Sequence, residues 1–100
     1  MTYSIHGMDY AAAFDRFSVP IHLQIPIMAW LELGELPSGA FLRCVIRNDL
    51  AGLFMLADRS DQAAVRSVVR FMAEHALEEA WGLGAMANWP DDVKAIRSKV

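Results

Sequence analysis

The side chains able to do chemistry in this chain are three histidines, one cysteine and twelve carboxylates. Their spacing decides what they can do. His75 and Glu79 stand four apart, a separation that places two metal ligands on one helix face. No second liganding pair accompanies them, and His6 and His22 lie far away in the chain, so surface or helix-end histidines are expected and no metal site. Cys44 is a nucleophile only if a distant histidine activates it. Its neighbours Phe41, Val45 and Ile46 favour a half-buried structural thiol instead. Gly82 and Gly84 form Gly-x-Gly, but no strand precedes them and no third glycine follows in position, so turn chemistry is expected rather than a dinucleotide fingerprint. Paired carboxylates do acid–base work when their surroundings drive their pKa values apart. Nothing marks Glu32, Glu35, Glu74, Glu78, Glu79, Asp91 or Asp92 as such a buried pair. No catalytic residue and no cofactor is assigned.

What remains is recognition. Arg43 and Arg47 stand four apart, as do Arg66 and Arg70, and each spacing puts a pair on one helix face. With Arg59 they are candidates to meet phosphates or an acidic partner, against the plainer reading of a solvated outer face. Arginine is the cation favoured at interfaces. The acidic groups offer the opposite surface.

The elements that carry these residues are short helices. Tyr10, Ala13, Phe14 and Phe17 give one face of a helix over 8–17, broken by Ser18-Val19-Pro20. Residues 20–25 stay open, because Ile21, Leu23 and Ile25 alternate as in a strand while Pro20 suits a helix start. A helix is expected from Pro26 to Leu33, capped by Gly34. A third is expected over 39–48 with Ser38 as N-cap, and a fourth over Leu50–Ala57. The clearest runs from 61 to 75, with Val65, Val68, Val69 and Met72 inward and Arg66, Arg70 and Glu74 outward. After a turn at Trp81–Gly84, a last helix is expected to begin at Pro90, with Asp91 and Asp92 in its first turn and Val93, Ile96 and Val100 inward. This pattern gives an all-α single domain over residues 1–100, a compact bundle of four to six short helices. Its expected core is Phe14, Phe17, Leu42, Val45, Leu53, Val65, Val68, Val69 and Met72.

Composition narrows the function classes. The chain has 100 residues, enough for one domain, and 55% of them are hydrophobic, above the usual share. With three Trp, five Phe and six Met, some apolar side chains are expected at the surface, where a partner or second copy would cover them. A net charge of −3 argues against direct nucleic-acid binding, which needs a basic face. One cysteine permits no internal disulfide and fits a reducing cytoplasm. No leader or membrane span is expected.

The stretch from Pro37 to Leu50 (Pro-Ser-Gly-Ala-Phe-Leu-Arg-Cys-Val-Ile-Arg-Asn-Asp-Leu), with Ala57-Asp58 downstream and Trp81-Gly82 after the long helix, resembles a family of small phage and prophage proteins. Their pattern is Gly-x-Phe-Leu, then Val, Asn-Asp-Leu, Ala-Asp and Trp-Gly. The resemblance covers residues 20–84. Leu77 and Asp61 depart from it, standing where many relatives have proline and asparagine. Some proteins of this kind are anti-CRISPR inhibitors. The resemblance implies a non-enzymatic phage protein, cytoplasmic in its bacterial host, that binds a CRISPR-Cas effector complex, type I being expected, and blocks its recognition of target nucleic acid. The alternative is an accessory or regulatory phage protein acting as a homo-oligomer, a homodimer for example, or on another host protein. An inhibitor of that kind should present carboxylates: Glu32, Glu35, Glu78, Glu79, Asp91 and Asp92, with Trp89 as an exposed aromatic anchor. Arg43, Arg47, Arg66 and Arg70 form the alternative partner-binding set.

Overall fold

In a computed structural model, the described residues are 5–49, 51–52, 59–82 and 84–99. They form an all-α domain with no strand among them. The helices are α1 (Tyr10–Arg16), α2 (Ile21–Leu33), α3 (Ala40–Arg47), α4 (Arg59–His75) and α5 (Ala85–Ser98), with a single 3₁₀ turn at Glu78–Ala80 before α5. The expected helix over 50–57 and the expected core residue Leu53 lie almost wholly outside the described residues.

Local chemistry explains most boundaries. Asp9 caps α1, its carboxylate accepting from the Ala12 amide at 3.2 Å. Gly34 ends α2 in the left-handed conformation, φ 70°, and Asn48 does the same for α3 at φ 57°. Ser38 does not cap α3; Gly39 takes that position in extended backbone, without a side-chain bond. The segment left open by the alternating isoleucines is helical, so α2 starts at Ile21 and runs straight through Pro26. Pro26 sits early in the helix, and the bond it forgoes is the one to the carbonyl of His22, an exposed residue.

The last helix departs most from expectation. Pro90 does not open it. α5 starts five residues earlier at Ala85, after Gly84 at φ 86°. Asp91 and Asp92 are therefore mid-helix and not in its first turn. The inner face is Ala85, Trp89 and Val93, with Ile96 packed beside them. Pro90 instead marks a close approach. A Cβ added to Gly34 would stand 2.9 Å from the Pro90 Cα, so the end of α2 touches the backbone of α5.

Two tryptophans hold the centre. Trp30 and Trp89 are 1% and 0% exposed. The Trp89 indole donates to the Trp30 carbonyl at 2.8 Å, and the Trp30 indole donates to the Ala80 carbonyl at 2.6 Å. Each buried N–H thus has the acceptor it needs. Around them pack Ile27, Leu31, Leu42, Val45, Val65, Val68, Phe71 and Met72. Phe17 and Val69, expected in the core, are half-buried at its edge. α1 joins α4 through aromatic rings, Phe14 lying 4.9 Å from Phe71 between centroids. Trp81 is half-buried against the core, and Gly82, at φ 113°, gives its amide to the Ile46 carbonyl. That turn therefore fastens the end of α3.

Gly34→Ala combines a positive φ with a backbone clash. We expect it to cost about 2 kcal/mol or more in urea unfolding. Gly39→Ala, where a Cβ meets nothing within 4 Å, is the control and should change stability by less than about 0.5 kcal/mol. Equal stabilities would show that the α2–α5 contact yields easily.

Candidate functional site

The structure scatters the carboxylates that were expected to form one recognition set. Glu32 is not at the surface. It is 9% exposed and sits where α2 ends against the incoming N-terminal segment and α5. Its Oε1 accepts from the Ile5 amide at 2.7 Å and meets Arg97 at 3.3 Å. Its Oε2 accepts from the Tyr10 hydroxyl at 2.5 Å, and from the His6 amide at 3.3 Å and the His6 Nδ1 at 3.1 Å. The Leu77 amide donates to His6 Nε2 at 3.2 Å, which assigns the ring proton to Nδ1. Arg97 also donates through Nε to the Glu32 carbonyl at 2.7 Å, an end-of-helix carbonyl with no donor inside α2.

This node is structural electrostatics. Burial by itself pushes the Glu32 carboxyl up, but the hydrogen bonds from Tyr10, the Ile5 amide and His6 outweigh it and hold Glu32 below its ordinary value. Burial, then the bond to Glu32 and its charge, pushes the Tyr10 hydroxyl far up, so the phenol remains a donor.

Trp89 is likewise no exposed anchor. It lies one turn inside α5 and is fully buried, its indole bonded to the Trp30 carbonyl of α2. The other acidic residues keep their surface positions. Glu78 and Glu79 on the 3₁₀ turn meet Asp92 of α5 around a shallow cleft of about 200 Å³, floored by Gly84, Ala85 and Asn88. Asp91 and Glu35 are exposed outside that cleft.

The arginines also divide. Arg43 donates to the Pro37 carbonyl at 2.6 Å and stitches the connector to α3. Arg47 reaches the Cys44 sulfur at 3.6 Å. The Arg59 side chain lies outside the described residues; among the described ones Arg66 and Arg70 come together, joined by Arg16 from the end of α1 around a cleft of about 320 Å³. Arg16 carries no periodic signal with α4; only the α1–α4 packing brings it there.

A third feature escaped the sequence reading. α2 is apolar on nearly every side. Its inner face holds Ile27, Trp30 and Leu31. Its outer face leaves Ile21 83% and Ile25 76% exposed, with Met28 and Leu33 also at the surface. The alternation of isoleucines concealed this stripe, since residues 21, 25 and 28 share a helix face only if the segment is helical.

The other candidates do not assemble. His75 ends α4 and Glu79 lies beyond it in the 3₁₀ turn, so the two do not share a helix. The His75 ring packs 5.6 Å from Phe17 and 5.5 Å from Phe71. Cys44 is buried. Among the described residues no group of three His, Cys, Asp or Glu side chains is placed to hold a metal. No helix among them is long and apolar enough to cross a membrane. The core void beside Trp30 and Val68 measures about 10 Å³, room for one water at most.

Compared with protein-family models, curated proteins and solved structures, the chain matches none. The geometry defines a small all-α domain whose distinctive surface is an apolar stripe, with separate acidic and basic clefts.

A lowered Glu32 pKa stabilises the fold fully above the ordinary value of 4.5, and that stability is lost as pH falls through the folded value. Glu32→Gln should cost about 2 kcal/mol at pH 7, because an amide offers fewer acceptors to the donors around it. The difference from the parent should narrow in urea titrations below about pH 4.5. A difference that stays constant down to pH 3 would show that this carboxylate is not the titrating group.

Proposed function

We propose that this chain is a non-catalytic phage protein that acts by binding a host protein complex, and that the complex is a type I CRISPR effector whose recognition of target nucleic acid it blocks. The outer stripe of α2 is the observation that carries the binding reading. A helix apolar all round belongs in an interior. α2 meets that condition on one side only, and two isoleucines more than three-quarters exposed stand on the other. Contiguous apolar surface of this kind marks a protein contact.

The partner's identity rests on the resemblance of residues 37–50, 57–58 and 81–82 to small phage proteins. The cleft of Glu78, Glu79 and Asp92 supports it. A complex that grips nucleic acid does so with lysines and arginines, and carboxylates are the groups that would meet them. These charges contribute through the association rate and through specificity more than through affinity.

A second reading has the stripe covered by another copy of this chain, making it a homo-oligomeric accessory protein. Ile21, Ile25 and Met28 are uncharged, and such a stripe packs against itself across a two-fold axis without needing a complementary charge.

Sedimentation velocity and capture on a purified type I effector complex separate the two. The inhibitor reading expects a monomeric parent that is captured at low salt. Ile21→Asp with Ile25→Asp should weaken capture at least about tenfold while leaving the thermal midpoint nearly unchanged, because both side chains are already in water. Glu78→Lys with Glu79→Lys should slow association, most strongly at low salt. A parent dimer that the aspartates dissolve assigns the stripe to a second copy. Absence of capture at low salt rejects the inhibitor reading.

A further inference from the structure

The cleft between the end of α1 and the outer face of α4 is lined by Arg16, Phe17, Ser18, Arg66, Ser67 and Arg70. We propose that it binds a terminal phosphoryl group, the dianion of a phosphate monoester. Three of the nine basic residues gather there. Among the described residues none of the three makes an ion pair, and the salt bridges present belong to Glu32. Among the described residues no carboxylate lines the cleft. Like charges gathered without a counter-charge raise the local potential, and an anion entering the cleft relieves it.

Two of the three cations are held in place. The Arg16 guanidinium lies 5.1 Å from the centre of the Phe17 ring and that of Arg70 lies 5.9 Å from it. Both therefore rest on one aromatic platform, which limits the freedom lost when they grip a ligand. Arg66 and Arg70 stand one turn apart on α4. Ser18 and Ser67 add hydroxyl donors beside them. The carbonyls that end α1 do not oppose an anion freely, because those of Ala13, Phe14 and Asp15 already accept from the amides of Phe17, Val19 and Ser18.

The arrangement suits a compact dianion rather than a nucleic-acid strand. A strand carries one charge per phosphate and needs a basic track along its length. Among the described residues the cleft gathers three cations around one pocket rather than along a track. Asp15, adjacent in sequence to Arg16, and Glu74, one turn on from Arg70, are exposed, Arg43 and Arg97 are engaged within the chain, and the net charge is −3. Guanidinium forks match the oxygens of a phosphoryl group in pairs.

Isothermal titration calorimetry of the full chain at fixed ionic strength tests this with four probes: inorganic phosphate, adenosine 5′-monophosphate, adenosine, and a short single-stranded DNA lacking terminal phosphates. Phosphate and the nucleotide should bind, and adenosine should not. Equal affinities for phosphate and nucleotide would identify the phosphoryl group as the whole ligand; a tighter nucleotide would identify it as the anchor of a larger one. Arg66→Gln with Arg70→Gln should weaken binding at least about tenfold, and Arg16→Gln should weaken it too. Both should lower the thermal midpoint in phosphate-free buffer only slightly, by no more than the loss of an exposed contact to Phe17. The proposal is overturned if neither phosphate nor the nucleotide binds, if the glutamine variants bind like the parent, or if the DNA binds where phosphate does not.

Discussion

An indole cannot be buried without an acceptor for its N–H, and this fold buries two. Trp89 finds its acceptor in the Trp30 carbonyl, and Trp30 finds its own in the carbonyl of Ala80. Those two bonds link α5 to α2 and α2 to the 3₁₀ turn, across 59 and 50 residues of chain respectively. They require α5 to pass close against the end of α2. Gly34 satisfies that demand by offering no Cβ where Pro90 passes.

The Glu32 node closes the same end of α2 with charge instead of indoles. A buried carboxylate is costly unless its oxygens are fully engaged. Here donors come from the N-terminal segment, from α1 and from α5. Arg97 serves twice, neutralising the carboxylate and supplying a donor to the helix-end carbonyl. Because so many elements meet there, α2 is fixed in rotation as well as position. That rotation leaves Ile21 and Ile25 facing outward. The apolar stripe is thus a consequence of what the inner face must satisfy.

Two clefts elsewhere are each lined, among the described residues, by charge of one sign. Carboxylates gather where the 3₁₀ turn meets α5, and free guanidiniums gather where α1 meets α4. Neither cleft supplies counter-ions to the other cluster through any ion pair among the described residues. A protein that neutralised its own charges would leave little for a partner to recognise. This one leaves two local fields of opposite sign and an apolar strip.

Local chemistry was legible in the sequence. The 3.6-residue periodicity of Val65, Val68 and Met72 identified the central helix, because a one-sided burden of apolar side chains has no other regular solution. The left-handed positions of Gly34 and Gly82 follow from what glycine alone tolerates at a helix end or tight turn. The all-α class follows from several such segments in succession. Burial of polar and aromatic groups was decided elsewhere. Glu32 and Trp89 look like surface residues in sequence, since a carboxylate and an aromatic beside a proline ordinarily stay near water. Both are interior because their partners, Tyr10, His6, Arg97 and the Trp30 carbonyl, are distant in the chain and only tertiary packing brings them within hydrogen-bond reach. The same holds for Arg16, which meets Arg66 and Arg70 because α1 packs on α4. Periodicity reports which side of a helix is apolar; which groups meet across helices depends on how the helices are docked, and that is set by the long-range bonds of the two tryptophans and the buried carboxylate.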